Sequence, residues 1–252
     1  MKRKNMQVLH MPLHTMSDVQ QGKSLMAMQH AFFSVLPEKI LQYIKLATDA
    51  SPLPPGGENF TIIPDALLLK PGTVALLTIR DPRLAVPSAY RTLARFGLSH
   101  GSGRLNFLLS TGLIWSQALY DYYVSNGIQP LVVDGDDVMT NENFVRYLCS
   151  CAGLEPDEVY TTWSAPTEEE REGIHPMFYA SQGTLIESSG IIPGRAAKNM
   201  DMAEEVRKWD AEFGDDVGLI REAVKSAMPH YRYLHERRLK MPEAYLRTCT
   251  RK

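Results

Sequence analysis

Cysteine is scarce in this 252-residue chain: Cys149, Cys151 and Cys249 are too few and too unevenly spaced for a disulfide framework or a Cys-rich zinc site. Such usage fits a reducing compartment, and the chain reads as cytoplasmic, with inert thiols. No stretch approaches the ~18–20 apolar residues of a membrane-spanning helix, so no membrane partner is expected. The basic start Met1-Lys2-Arg3-Lys4 runs into His10, Pro12, His14 and Asp18, where a signal peptide needs an apolar run. Basic excess is also missing. With 27 Lys+Arg against 29 Asp+Glu and a net charge of −2, nucleic acid is not an expected partner. There is no Gly-x-Ser-x-Gly elbow, no Cys/His nucleophile pattern and no internal repeat.

What is present suits one globular α/β domain over residues 1–252, with 44% hydrophobic content: a sheet core over 1–163 and a loop and helical annex over 164–252. The apolar run 24–33 reads as a buried strand. Spacing of Ile40, Leu41 and Ile44 predicts a helix over 36–50, ended by Ser51-Pro52-Leu53-Pro54-Pro55-Gly56-Gly57. The run 73–79 reads as a parallel strand covered on both faces, followed by a helix to Gly97. Residues 104–125 read as one long amphipathic helix, 128–133 as a strand and 141–151 as a helix. Strands alternating with helices imply a parallel sheet with a ligand site at the carboxyl ends of its strands. Residues 164–200 read as a long irregular segment, and 201–213 and 217–228 as helices, with Pro229 and Pro242 as stops. The methionines Met6, Met11, Met16, Met26 and Met28 read as core filling.

The junction after the strand over 73–79 carries the first candidate chemistry. Arg80 at the strand's carboxyl end and Ser88 in the first turn of the next helix can converge on one anion, aided by the helix dipole. Alternatively Arg80 pairs with Asp81 or Asp136, and Ser88 is a local cap. His10, His14 and His30 are candidates for the sheet's carboxyl end, where a neutral imidazole takes a proton from a hydroxyl or enol. His10 and His14 lack a nearby acidic third ligand, so no metal is expected. His100, His175, His230 and His235 lie in loop or surface-like contexts.

Three segments resemble the sulfotransferases that use phosphoadenosine phosphosulfate, particularly a fungal sulfotransferase-like branch. They are Arg80-Asp81-Pro82-Arg83-Leu84-Ala85-Val86-Pro87-Ser88; Leu131-Val132-Val133-Asp134-Gly135-Asp136-Asp137-Val138 with the helix ending at Gly153-Leu154; and Met28-Gln29-His30. The resemblance spans roughly residues 6–154. It implies a three-layer, P-loop NTPase-like α/β fold, a parallel sheet flanked by helices, with a helical C-terminal third. It also implies that Arg80 and Ser88 bind the phosphate on the cofactor's ribose, that Asp136 and Asp137 form an acidic turn, and that His30 is the catalytic base. Met28 stands where the family has a lysine.

The family's phosphate-binding loop is not found. Gly22-Lys23-Ser24 precedes a strand where a P-loop follows one, and residues 6–13 resemble the strand after the family's first helix, so the chain reads as starting past the loop. Without its N–H groups, Arg80 and Ser88 grip only the far end of such a cofactor, and no cofactor is expected. The expected function is therefore a repurposed enzyme of fungal secondary metabolism. It would cyclise or lactonise a polyketide-like small molecule without a cofactor, with His30 and His10 as catalytic residues and Arg80, Ser88 and His14 holding the substrate or its developing oxyanion. The alternatives are genuine sulfuryl transfer to a small-molecule hydroxyl, with phosphate contacts from the segment 181–200, and a non-catalytic binding or scaffold protein. A missing central strand exposes sheet edges, to be covered by residues 5–13 or by a second copy in a homodimer.

Overall fold

The computed structural model describes residues 28, 30–46, 57–96 and 102–245; His10, His14, Gly22-Lys23-Ser24 and the segment 5–13 lie outside them. Apolar and β-branched runs form two short strands, β1 (Leu76–Ile79) and β2 (Leu131–Asp134). They pair in parallel with Leu76 opposite Leu131 and Ile79 opposite Asp134. The second strand starts later than the run 128–133 suggests, because Gly127 turns at φ +74 and Ile128 N–H donates back to Tyr123. Among the described residues the sheet has these two strands, so the α/β reading holds in coarse form. The expected three-layer sheet is not among them, and the chain is mostly helical.

Residues 31–34 depart from the expected strand. Ala31–Ser34 is a 3-10 turn in which Ser34 Oγ donates to Ala31 O at 2.7 Å. It buries Phe32 against the Trp115 core, and only Val35 makes a bridge, antiparallel to Thr61. A short apolar run has the same composition in a buried turn and in a strand. Helix α1 (Pro37–Leu46) follows as expected, then the short α2 (Asp65–Leu68).

Beyond β1 come α3 (Pro82–Ala94), α4 (Ser102–Thr111) and α5 (Ile114–Ser125). The last two replace the single helix expected over 104–125. The break falls at Gly112, where a Cβ would press to 3.2 Å from the Leu108 carbonyl, and at Leu113, whose φ is +56. This corner turns Trp115, Ala118 and Tyr122 into the core, and Tyr122 donates to Asp65 at 2.7 Å.

After β2 the chain forms α6 (Gly135–Thr140) and α7 (Glu142–Cys151). The segment 164–200 is more ordered than expected: α8 (Glu168–Glu172) starts on a Thr167–Glu170 capping box, and α9 (Pro176–Glu187) precedes two 3-10 turns, Pro193–Arg195 and Ala197–Asn199. Then come α10 (Met202–Phe213) and α11 (Val217–Glu236). Pro229 does not stop α11. It removes the N–H that would bond the Lys225 carbonyl, but Leu219, Ile220, Ala223, Ala227 and Leu234 form a buried stripe on both sides of it, and tertiary burial outweighs one missing bond. That stripe packs on Val86 and Tyr90 of α3 and, through Leu234, beneath Ile79 and Val132. Past α11, Leu239 N–H donates to Val132 O at 2.7 Å, covering part of the β2 edge. Leu76 and Thr78 of β1 remain exposed. No helix among the described residues is long and apolar enough to cross a membrane.

Candidate functional site

The parallel register sets the two strand ends side by side, so Arg80-Asp81 after β1 meets Asp134-Gly135-Asp136 at the end of β2. Asp81, 5% exposed, is the N-cap of α3 and accepts from Arg83 N–H at 2.8 Å. Its carboxylate also takes the Arg83 guanidinium in a fork at 3.0 and 2.6 Å, and that bond raises the Arg83 pKa. The helix dipole expected to serve a bound anion is thus answered by a resident carboxylate. Ser88 is exposed and lies in the second turn of α3, not the first.

Neither proposed ion pair of Arg80 forms as a hydrogen bond. Asp81 is held by Arg83. Asp136 spends both oxygens on backbone N–H groups, of Ala197 at 2.8 Å and Lys198 at 2.9 Å. Arg80 instead donates through Nη2 to the Arg195 carbonyl at 3.2 Å, while its buried Nε has no hydrogen-bond partner among the described residues. Burial lowers its pKa, opposed chiefly by the field of Asp136. Asp136 therefore pins the segment 193–199 over Arg80 and brings Arg195 and Lys198 to the strand ends; Arg195 Nη1 is held by Thr184 at 3.0 Å.

Behind this layer lies a cluster that sequence reasoning missed. Asp134, 2% exposed, accepts from Asp136 N–H at 2.9 Å and from the Tyr231 hydroxyl at 2.8 Å, with His235 Nε2 at 3.8 Å. Burial raises the Asp134 pKa, and burial with the neighbouring carboxylate pushes that of Tyr231 well up. Arg238 bonds Asp137 at 3.2 Å and the His235 carbonyl at 2.9 Å. The signal was the four- and seven-residue spacing of Tyr231, His235 and Arg238, hidden by ending the helix at Pro229. His230 likewise belongs to α11, half-buried with Nδ1 2.7 Å from Gln117 Oε1, and not to a loop.

His30 precedes the 3-10 turn with its ring 5.3 Å from that of Phe33. Its surface is exposed, yet the protein packed around it holds its pKa below the ordinary value through desolvation, which favours a neutral imidazole. No hydrogen bond, ion pair or ring contact among the described residues joins it to Arg80. Met28, two residues before it, is 66% exposed and does not fill the core as expected; the other methionines of that cluster lie outside the described residues.

Comparison with known proteins gives two relatives that share one name, both from the genus Metarhizium. The chain is 31% identical over 243 residues to "Sulfotransferase ppzF" of Metarhizium majus (strain ARSEF 297), covering 87% of this chain and 71% of the relative. It is 33% identical over 195 residues to "Sulfotransferase ppzF" of Metarhizium rileyi (strain RCEF 4871), covering 72% of this chain and 57% of the relative. No family model and no solved structure matches.

Proposed function

Because the chain belongs to the sulfotransferases, in a fungal sulfotransferase-like branch, we propose that it transfers a sulfuryl group from phosphoadenosine phosphosulfate to the hydroxyl of a small molecule. The observation that carries this reading is Arg80: a buried guanidinium Nε with no partner, beneath a segment bearing Arg195 and Lys198. A buried donor left unsatisfied costs about 1–3 kcal/mol, and a phosphate oxygen is the acceptor such a donor suits. These residues fit the phosphorylated end of the cofactor, with Ser88 as a further donor from α3. When bound, the cofactor supplies the activated sulfuryl group. The chain's own part is to hold the anionic end with Arg80, Lys198 and Ser88, and to remove the acceptor's proton. His30, kept neutral by desolvation, takes that proton onto its imidazole as the acceptor oxygen becomes a nucleophile.

A second reading keeps His30 as base and gives Arg80 a substrate carboxylate or enolate, which is cofactor-free cyclisation or lactonisation of a polyketide-like compound. The lowered His30 pKa supports both, and the relatives' names favour the first. The exposed outer face of β1 at Leu76 and Thr78 supports a companion proposal that a second copy of the chain covers this edge.

Calorimetric titration with adenosine 3′,5′-bisphosphate separates the readings. Micromolar binding that disappears in Arg80→Ala, together with transfer of labelled sulfuryl to a phenolic acceptor, is the expected result. No binding by the wild-type chain would overturn sulfuryl transfer and leave the second reading. No sulfuryl transfer and no conversion of a polyketide-like compound by the wild-type chain would leave a scaffold, and turnover unchanged in Arg80→Ala, Ser88→Ala and His30→Ala would overturn the roles given to these residues.

A further inference from the structure

A groove separate from the strand ends runs along α11 between α10 and the first turn of α3. It has a volume of about 480 Å³, and four of its nine lining residues are cationic, Arg83, Arg221, Lys225 and Arg232, with no acid among the nine. In a chain with more acids than bases, that one-sided lining is a local property. The floor is apolar: Trp209, Val224 and Met228 lie between the cations, and Trp209 is 4% exposed.

The spacing explains the stripe. Arg221, Lys225, Met228 and Arg232 recur at intervals of four, three and four, so they share one face of α11 over about 16 Å at 1.5 Å per residue. Two of the four cations already have partners. Arg221 bonds Asp210 at 2.8 and 2.9 Å, and Arg83 bonds Asp81 at 2.6 Å. No ion pair or hydrogen bond of Lys225 or Arg232 occurs among the described residues. Glu222, the nearest acid in sequence to Lys225, is turned to Arg104 at 2.9 Å, and Glu236, one turn beyond Arg232, lies 3.8 Å from Arg237.

We infer that this groove binds a small amphipathic anion, a flat or chain-like apolar body carrying one carboxylate, sulfate or phosphate group. Its volume is that of a small-molecule site. The apolar body lies on Trp209, Val224 and Met228, and the anionic group meets Lys225 and Arg232, which no resident carboxylate neutralises. The inference does not rest on the nucleotide reading, because none of these residues belongs to the Arg80 cluster except through Arg83.

The test uses the full chain and the probe 2-naphthoate, with 2-naphthamide as its uncharged counterpart, read by calorimetry and by amide chemical shifts. Saturable binding of the acid is expected, with shifts concentrated in 206–232, and binding of the amide weaker by about tenfold or more. The double variant Lys225→Glu/Arg232→Glu, altered at two exposed positions, keeps the parent's melting temperature and loses the acid's binding. Arg80→Ala keeps it. Equal binding of acid and amide, indifference to the charge reversal, shifts elsewhere, or no binding at all would overturn the inference. Self-association of the parent that the charge reversal abolishes would assign the groove to a second copy and also overturn it.

Discussion

Arg80 and the groove on α11 are both cationic, yet they hold their charge in opposite ways. Arg80 is partly desolvated, lies in the field of Asp136, and is hydrogen-bonded to one carbonyl, with its buried Nε left without a partner among the described residues. Lys225 and Arg232 are exposed above an apolar floor. A buried donor that has already lost its water gains most from one well-placed acceptor. An exposed cation exchanges water for ligand and gains little unless the ligand also covers apolar surface. The first arrangement favours selectivity for geometry, the second tolerance of many amphipathic anions.

Replacing the buried donor gives the largest expected effect. Arg80→Ala reduces adenosine bisphosphate binding by about a hundredfold, two charge-assisted bonds' worth. Arg80→Lys restores little of it, because a point charge does not reproduce the guanidinium fork. A titration in which the alanine variant binds like the parent would erase the contrast between the two regions. Next comes Asp136→Ala, which frees the Ala197 and Lys198 N–H groups. It should weaken nucleotide binding about tenfold, lower stability by about 1–3 kcal/mol and speed amide exchange over 193–199, leaving naphthoate binding intact.

Salt sharpens the comparison further. Between 0.05 and about 0.5 M salt the Debye length shrinks to a few ångströms, so naphthoate affinity falls several-fold while the share of nucleotide binding due to Arg80 changes less. The smallest effect concerns the buried side of α11, where burial lowers the His230 pKa. The unfolded chain then binds a proton near pH 6.5 that the folded chain refuses, so stability is full above that pH and declines as pH falls toward the folded-state value. The slope is about 1.4 kcal/mol per pH unit in that window. His30 adds the same sign, and Asp134, whose pKa is raised, gains stability on acidification and works against them at lower pH. Chemical denaturation from pH 7 to 5 should show the acid-side loss, reduced in His230→Gln. Sedimentation tests the companion proposal: a concentration-dependent dimer is expected, reduced by Leu76→Lys, and a monomer at all concentrations would remove it.

Much of the frame was legible in the residues. The run ending at Ile79, the helix after Pro82 and the unit 131–151 could be read because apolar runs and stops coincide there. Three features were hidden for different reasons. Leu113 takes a left-handed backbone with no glycine of its own to announce it, splitting a continuous apolar pattern. Pro229 looks like a stop, and only the buried stripe from Leu219 to Leu234 keeps the helix going. The run 31–34 has strand composition but closes on local bonds. Of the candidate residues, Arg80 was found at the strand end, where it was sought, while its surroundings were not: Asp136 reaches Ala197 and Lys198, 61 and 62 positions away in sequence, and no local pattern encodes so distant a contact. Ser88 was displaced by a turn, and His30 stands apart from Arg80.

Pro229 has one more consequence. Both halves of α11 reach the groove, Arg221 and Lys225 before Pro229 and Arg232 after it, and the second half also carries Tyr231 and His235 toward Asp134 at the strand ends. At the junction the ladder lacks one rung, the Lys225 carbonyl losing its N–H partner, while the buried stripe from Leu219 to Leu234 keeps the helix continuous. Arg232 and Tyr231 are sequence neighbours that face the groove and Asp134 respectively, so the two surfaces share one short stretch of helix and a shift of that stretch would be felt at both.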